Sequence, residues 1–126
     1  HNIKVISKIE SKKGIENFKN IINASWGIMV GRGDLSKNLS FEKVPAAQNL
    51  IVKKTLQQKK FVIVATEMLL SMVNSKKPTN AEASDIFFSV MNGADATMLS
   101  EETAIGKYPS LAVEAMRKIL IEAEKV

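Results

Sequence analysis

Lys8, Glu10, Asp34, Thr66, Ser100 and Glu102 are the residues of this 126-residue chain best placed for chemistry, because each follows or closes a short apolar run. The densest stretch is Gly27-Ile28-Met29-Val30-Gly31-Arg32-Gly33-Asp34-Leu35. Ile28, Met29 and Val30 form a run too short for a helix and suited to a strand covered on both faces. Gly31 and Gly33 carry no side chain that would hold a ligand away from the backbone. Asp34 then delivers a carboxylate just past the strand, where α/β folds keep their chemistry. The same residues read equally well as a plain loop. Lys8 and Glu10 set a cation and a carboxylate two residues apart on one strand face. They are either aimed at one ligand or paired at the surface, where ion pairs form cheaply, and spacing leaves both readings open.

The elements that must position these groups follow a repeating pattern. Ile3 to Glu10 is β-branched and compact, a predicted strand with Ile6, Lys8 and Glu10 on one face and Val5, Ser7 and Ile9 on the other. Gly14 opens a predicted helix that buries Ile15, Phe18, Ile21 and Ile22 and ends near Ala24-Ser25. After the Asp34 strand, Leu35 to Ser40 reads as a polar loop. Glu42 to Lys59 then reads as a helix with Val44, Ala47, Leu50, Ile51 and Leu56 on its inner side and Pro45 in its first turn. Phe61 to Ala65 is a third strand, ending in Thr66-Glu67-Met68. Thr79 and Glu82 form a capping box for a helix that stops at Asn92-Gly93. Ala94 to Leu99 is a fourth strand, ending in Ser100-Glu101-Glu102. From Pro109 a last helix turns Leu111, Ala112, Ala115, Met116 and Ile119 inward. Strand and helix alternate four times, which predicts βαβ units and a parallel sheet. The polar clusters then converge on one edge. No dinucleotide fingerprint or Walker pattern follows the first strand.

Composition sets outer bounds. Apolar and charged fractions of 45% and 25% fit one globular domain. No apolar run reaches the roughly 18 residues of a membrane span, so no membrane partner is expected. The start His1-Asn2-Ile3 shows no secretory leader, and the missing initiator Met suggests a trimmed chain or a piece of a longer one. The absence of cysteine excludes disulfides and thiolate metal sites. A net charge of +5 is spread over lysine pairs that contain no aromatic stacking platform, so a solvated surface is expected rather than nucleic-acid binding.

Five ordered stretches resemble pyruvate kinase. They are Ile6-Ser7-Lys8-Ile9-Glu10, Ile28 to Leu35, Ala65-Thr66-Glu67-Met68-Leu69, Lys77-Pro78-Thr79 with Ala81-Glu82, and Met98 to Ala104 with Gly106-Lys107-Tyr108-Pro109. The resemblance implies that residues 1–126 are the C-terminal half of the catalytic barrel domain, strand–helix units five to eight of a TIM (β/α)₈ barrel. The lid and regulatory domains would then lie outside this sequence. It implies transfer of a phosphoryl group from phosphoenolpyruvate to ADP, giving pyruvate and ATP in glycolysis. Glu10 and Asp34 would hold Mg²⁺ or Mn²⁺, and the potassium site would lie outside this segment. Lys8 would set an ammonium beside the transferring group. The Gly33 and Asp34 amides would receive the substrate carboxylate, Thr66 would hydrogen-bond the substrate, and Ser100 would stand on the proton route to the enolate carbon.

The resemblance further implies a homo-oligomer, typically a tetramer, in the cytoplasm, with an organelle as the alternative. An isolated segment would be inactive. This chain departs from the family's usual Ala at Gly31, Gln at Glu67, Gly at Glu101 and Arg at Asn80, and Lys13 stands where a polar or acidic residue is common. Two other readings compete: a metal-dependent pyruvate-enolate lyase or aldolase barrel, and a non-catalytic interaction domain on a decayed barrel.

Overall fold

The computed structural model describes residues 2–126. Its frame is a parallel sheet of four strands in the order β1-β2-β3-β4: β1 (Ile6–Ile9), β2 (Gly27–Gly31), β3 (Phe61–Ala65) and β4 (Ala96–Met98). Ile9 stands beside Val30 and Val30 beside Val64, while Gly31, Ala65 and Met98 form the next row. One face of the sheet is sealed along β2 and β3 and at the end of β1: Ile9, Ile28, Val30, Val62 and Val64 are all 0% exposed, while β4 is only partly covered. On the other face Ile6, Met29 and Ile63 are only partly covered and Lys8 is exposed. The sheet does not close, and within it β1 and β4 each pair with a single neighbour.

The helices are α1 (Lys12–Glu16), α2 (Phe18–Ala24), α3 (Arg32–Asn38), α4 (Val44–Gln57), α5 (Asn80–Met91), α6 (Glu101–Ala104) and α7 (Pro109–Glu124). The fourfold alternation is as expected, and β3 and the capping box at Thr79 fall where the sequence puts them. Other elements differ for local reasons. The first helix starts at Lys12 because the Ser11 side chain caps it, accepting from the Gly14 amide, and it breaks at Asn17, which has φ −104°. The stretch expected to be a polar loop is α3, anchored by the wholly buried Leu35. Leu50 and Leu111 are 40% and 38% exposed, because the buried stripes run through Ile51, Val52 and Thr55 and through Ala112 and Met116 instead. Two short 3₁₀ turns, Phe41–Lys43 and Leu70–Val73, have no distinct signal in the sequence.

Several polar groups hold this frame in place. Lys60 Nζ donates to the carbonyls of Ile22, Asn23 and Ser25 at 2.6, 2.9 and 2.6 Å, which closes the C-terminal end of α2. Beside it Trp26 stacks on Phe61 at 5.0 Å, with Lys4 over the indole. This edge, opposite the polar clusters, is built for stability. Among the described residues no helix is long and apolar enough to cross a membrane.

Glu82 does more than cap α5. Its carboxylate accepts from the Thr79 amide at 2.8 Å, the Ser71 amide at 2.9 Å and the Ser71 hydroxyl, so it pins the loop that follows β3. Burial pushes the Glu82 carboxyl up, but the Ser71 and Thr79 hydrogen bonds outweigh it and the net shift is downward. A lowered folded-state value stabilises the fold above the ordinary glutamate value, and that contribution is lost as pH falls through the folded-state value. Glu82→Gln should therefore lower stability by about 1 kcal/mol at pH 7, the scale of a partly screened charge-assisted bond. Urea midpoints at pH 7 and pH 3 check it: the gap to wild type should shrink at the lower pH.

Candidate functional site

The parallel register brings the C-terminal ends of all four strands to one edge, and the polar clusters gather there. Lys8 and Glu10 do pair, Nζ to Oε2 at 3.3 Å, with the lysine side chain half exposed. The Glu10 carboxylate lies against the end of β2: a Cβ built at Gly31 would come within 2.5 Å of Glu10 Oε2. Glycine here provides room for that carboxylate rather than backbone freedom. Asp34, in the first turn of α3, is the next carboxylate along. The Lys37 ammonium, by hydrogen bond and by charge, holds the Asp34 carboxyl below its ordinary value, and the charge of Lys8, the partner of the nearby Glu10, acts the same way. The two carboxylates are thus neighbours, each with an ammonium beside it.

The third strand ends in an unusual turn. Thr66 and Glu67 have φ of 69° and 57°, consecutive left-handed residues that are not glycine. Each such residue costs about 1–3 kcal/mol and persists only where surrounding contacts enforce it. Here the contacts are specific. The Thr66 hydroxyl accepts from the Gly33 amide at 2.8 Å and donates to the Ala65 carbonyl at 2.7 Å. Arg32 Nε and Nη2 donate to the Thr66 carbonyl at 3.0 and 2.8 Å, and Arg32 Nη1 donates to both Asp85 carboxylate oxygens at 2.8 and 2.7 Å.

Asp34, Thr66 and Ser100 line a cavity of about 260 Å³ together with Gly33, Lys37, Glu67 and Glu101. Lys8 and Glu10 stand outside that lining and reach it through Asp34. Glu67 and Glu101 both face it. Glu102, grouped with Ser100 on sequence, is wholly buried. Its oxygens accept from the Leu69 amide at 2.9 Å and the Ser100 amide at 3.1 Å, tying the loops after β3 and β4 together. Its role in this arrangement is structural.

As a donor set for a cation, Glu10 and Asp34 offer hard carboxylate oxygens, the kind that suit Mg²⁺ or Mn²⁺. No cluster of three or more His, Cys, Asp or Glu side chains able to hold a metal occurs among the described residues. Two carboxylates alone would leave an ion bound there to draw its remaining ligands from water and a bound anion, as Mg²⁺ commonly does. Sequence reasoning missed Lys37, Arg32 and Asp85. Lys37 had a readable signal, lying three residues after Asp34 on one helix face. The Arg32–Asp85 pair spans 53 residues and had none.

Residues 1–113 match the protein family described as pyruvate kinase, barrel domain. The chain is 50% identical over 125 residues to pyruvate kinase from Dictyostelium discoideum, covering 99% of this chain and 25% of that protein. It is 47% identical over 123 residues to pyruvate kinase from Clostridium perfringens, covering 98% and 26%. It is 48% identical over 123 residues to the pyruvate kinase of Nicotiana tabacum named as the cytosolic isozyme, covering 98% and 24%. The chain thus spans about a quarter of the length of these curated relatives.

The Thr66–Gly33 bond can be tested on its own. Thr66→Val keeps the side-chain shape and removes the hydroxyl, so hydrogen exchange at the Gly33 amide should accelerate roughly tenfold, about the worth of one hydrogen bond. Exchange at the Gly31 and Ala65 amides should stay unchanged in the same spectra.

Proposed function

Since this chain belongs to the pyruvate kinase family, we propose that it forms strand–helix units five to eight of that enzyme's catalytic barrel and carries part of its active site. The reaction is transfer of a phosphoryl group from phosphoenolpyruvate to ADP. What supports this most directly is that Glu10, Asp34, Thr66 and Ser100 follow four successive parallel strands at one edge, each inside a stretch that resembles the family. The protein works in the cytoplasm as a homo-oligomer; the cytosolic isozyme named for the Nicotiana tabacum relative supports the compartment.

In this reading Glu10 and Asp34 hold the divalent cation, Mg²⁺ or Mn²⁺, which when bound neutralises charge on substrate oxygens. The residues of the chain do the rest by position. Lys8, tethered 3.3 Å from Glu10, presents its ammonium where negative charge moves during transfer. The Gly33 and Asp34 amides receive the substrate carboxylate. The Gly33 amide also donates to the Thr66 hydroxyl, so that hydroxyl stands beside the place proposed for the substrate carboxylate. Ser100, which lines the same cavity as Asp34, supports the proton route to the enolate carbon. Potassium and most nucleotide contacts come from segments outside this sequence.

One observation favours the non-catalytic reading. Glu67 and Glu101 add two carboxylates to a cavity meant for anionic substrates. If the site works, that charge weakens binding, and Glu67→Gln in the full-length protein should lower the KM for phosphoenolpyruvate several-fold at low salt. An assay coupling ATP formation to phosphoenolpyruvate consumption measures it and tests the function at once: a full-length protein that makes no ATP contradicts the proposal.

The isolated 126-residue chain should show no turnover, because positioning dominates phosphoryl transfer and half of the walls are elsewhere. Its two open strand edges and partly bare inner face should drive association. Sedimentation of the purified segment should give a dimer or larger species, and a monomer that forms ATP would contradict both expectations.

A further inference from the structure

We infer that Arg32 is a positioning residue for the transfer reaction: its guanidinium fixes the Thr66 carbonyl against Asp85 on α5 and so aims the Thr66 hydroxyl into the site. The inference rests on the proposed phosphoryl-transfer reading. Two consecutive residues, Arg32 and Gly33, grip Thr66 from opposite sides. The Arg32 side chain holds its carbonyl through two bonds, and the Gly33 amide holds its hydroxyl through one. With both ends held, the left-handed Thr66–Glu67 turn has one orientation, and Glu67 is carried with it to the wall of the cavity.

The guanidinium suits this task. One edge, Nε and Nη2, lies on the carbonyl, while Nη1 meets both oxygens of the Asp85 carboxylate. A lysine ammonium has neither the planar fork nor the reach to span both partners. The Arg32 side chain is only 10% exposed and Asp85 35%, so the pair is largely withdrawn from solvent and breaking either half leaves a charge poorly matched. Arg32 does not line the cavity that holds Asp34 and Ser100. It lines a separate one of about 230 Å³ between α4 and α5, on the other side of Glu67. It therefore acts through Thr66 and does not touch a substrate bound at Asp34. The same contacts make the site depend on where α5 sits.

A double-mutant cycle in the full-length protein tests this, read by the coupled ATP assay and by hydrogen exchange at the Gly33 amide. Arg32→Lys should lower kcat about 10- to 100-fold with a thermal midpoint within a few degrees of wild type, and should speed Gly33 exchange at least about fivefold. In a Thr66→Ala background the same change should cost no more than two- to threefold, because the group that Arg32 positions is gone. Full additivity of the two losses, or unchanged Gly33 exchange, would overturn the inference. Asp85→Asn provides a second route should Arg32→Lys fail to fold. It leaves the arginine in place but loosens it, and should give a smaller kcat loss with the same non-additivity. A wild-type protein that forms no ATP would instead sink the functional reading, while the exchange measurement would still report whether Arg32 holds the turn.

Discussion

The parallel pairing of β2 with its two neighbours is the constraint from which the rest of the arrangement follows. Because Ile9, Val30 and Val64 share one row, the residues that come next in each segment emerge at one level and on one side. That register brings Glu10, the α3 turn with Asp34, and Thr66 together, and the Arg32 and Gly33 bonds to Thr66 then hold them there. A slip of one residue in β2 would turn Ile28 and Val30 to the open face and carry the α3 turn away from Glu10. The sealed face makes such a slip costly, since each fully buried Val or Ile side chain stabilises the register by about 1.5–3 kcal/mol. The apolar face of the sheet therefore sets the polar geometry of its edge.

Around that edge the structure accepts local strain and holds it with hydrogen bonds. Thr66 and Glu67 are left-handed without being glycine, and the groups that enforce them belong to the turn after β2. Glu102 and Glu82 act similarly one layer out, each using a carboxylate to gather backbone amides from loops that would otherwise move. Among the described residues no buried side-chain nitrogen or oxygen lacks a partner. Cross-links of this kind fix the turns relative to one another, which would suit the phosphoryl transfer proposed for the site.

Much of this could be read in the chain, and what could not has physical causes. Phe61 to Ala65 reads as a strand because it is short, β-branched and bracketed by Lys60 and Thr66. The start of α5 reads from Thr79 and Glu82 because a capping box is local chemistry. Asp34, Thr66 and Ser100 stand out in the sequence through their place after strands, and the structure brings the three to one cavity. The α3 helix was hidden by its polar composition, since only Leu35 marks its buried side. Glu102 looked like its neighbour Glu101, yet one turn of backbone sends it inward to the Leu69 amide. The Gly33 amide looked open to a ligand, and only the fold reveals that a hydroxyl 33 residues away already occupies it.

Glu10 and Asp34 together are proposed to form the cation-binding corner of the site. Mn²⁺ binding to the full-length protein, followed by electron paramagnetic resonance with Glu10→Gln and Asp34→Asn, addresses it most directly. Each substitution should weaken Mn²⁺ binding at least about tenfold. The double variant should bind Mn²⁺ more weakly than either single one, because both carboxylates would ligate the same ion. Unchanged affinity in either single variant would contradict a shared site and return Glu10 to the role of a surface partner for Lys8.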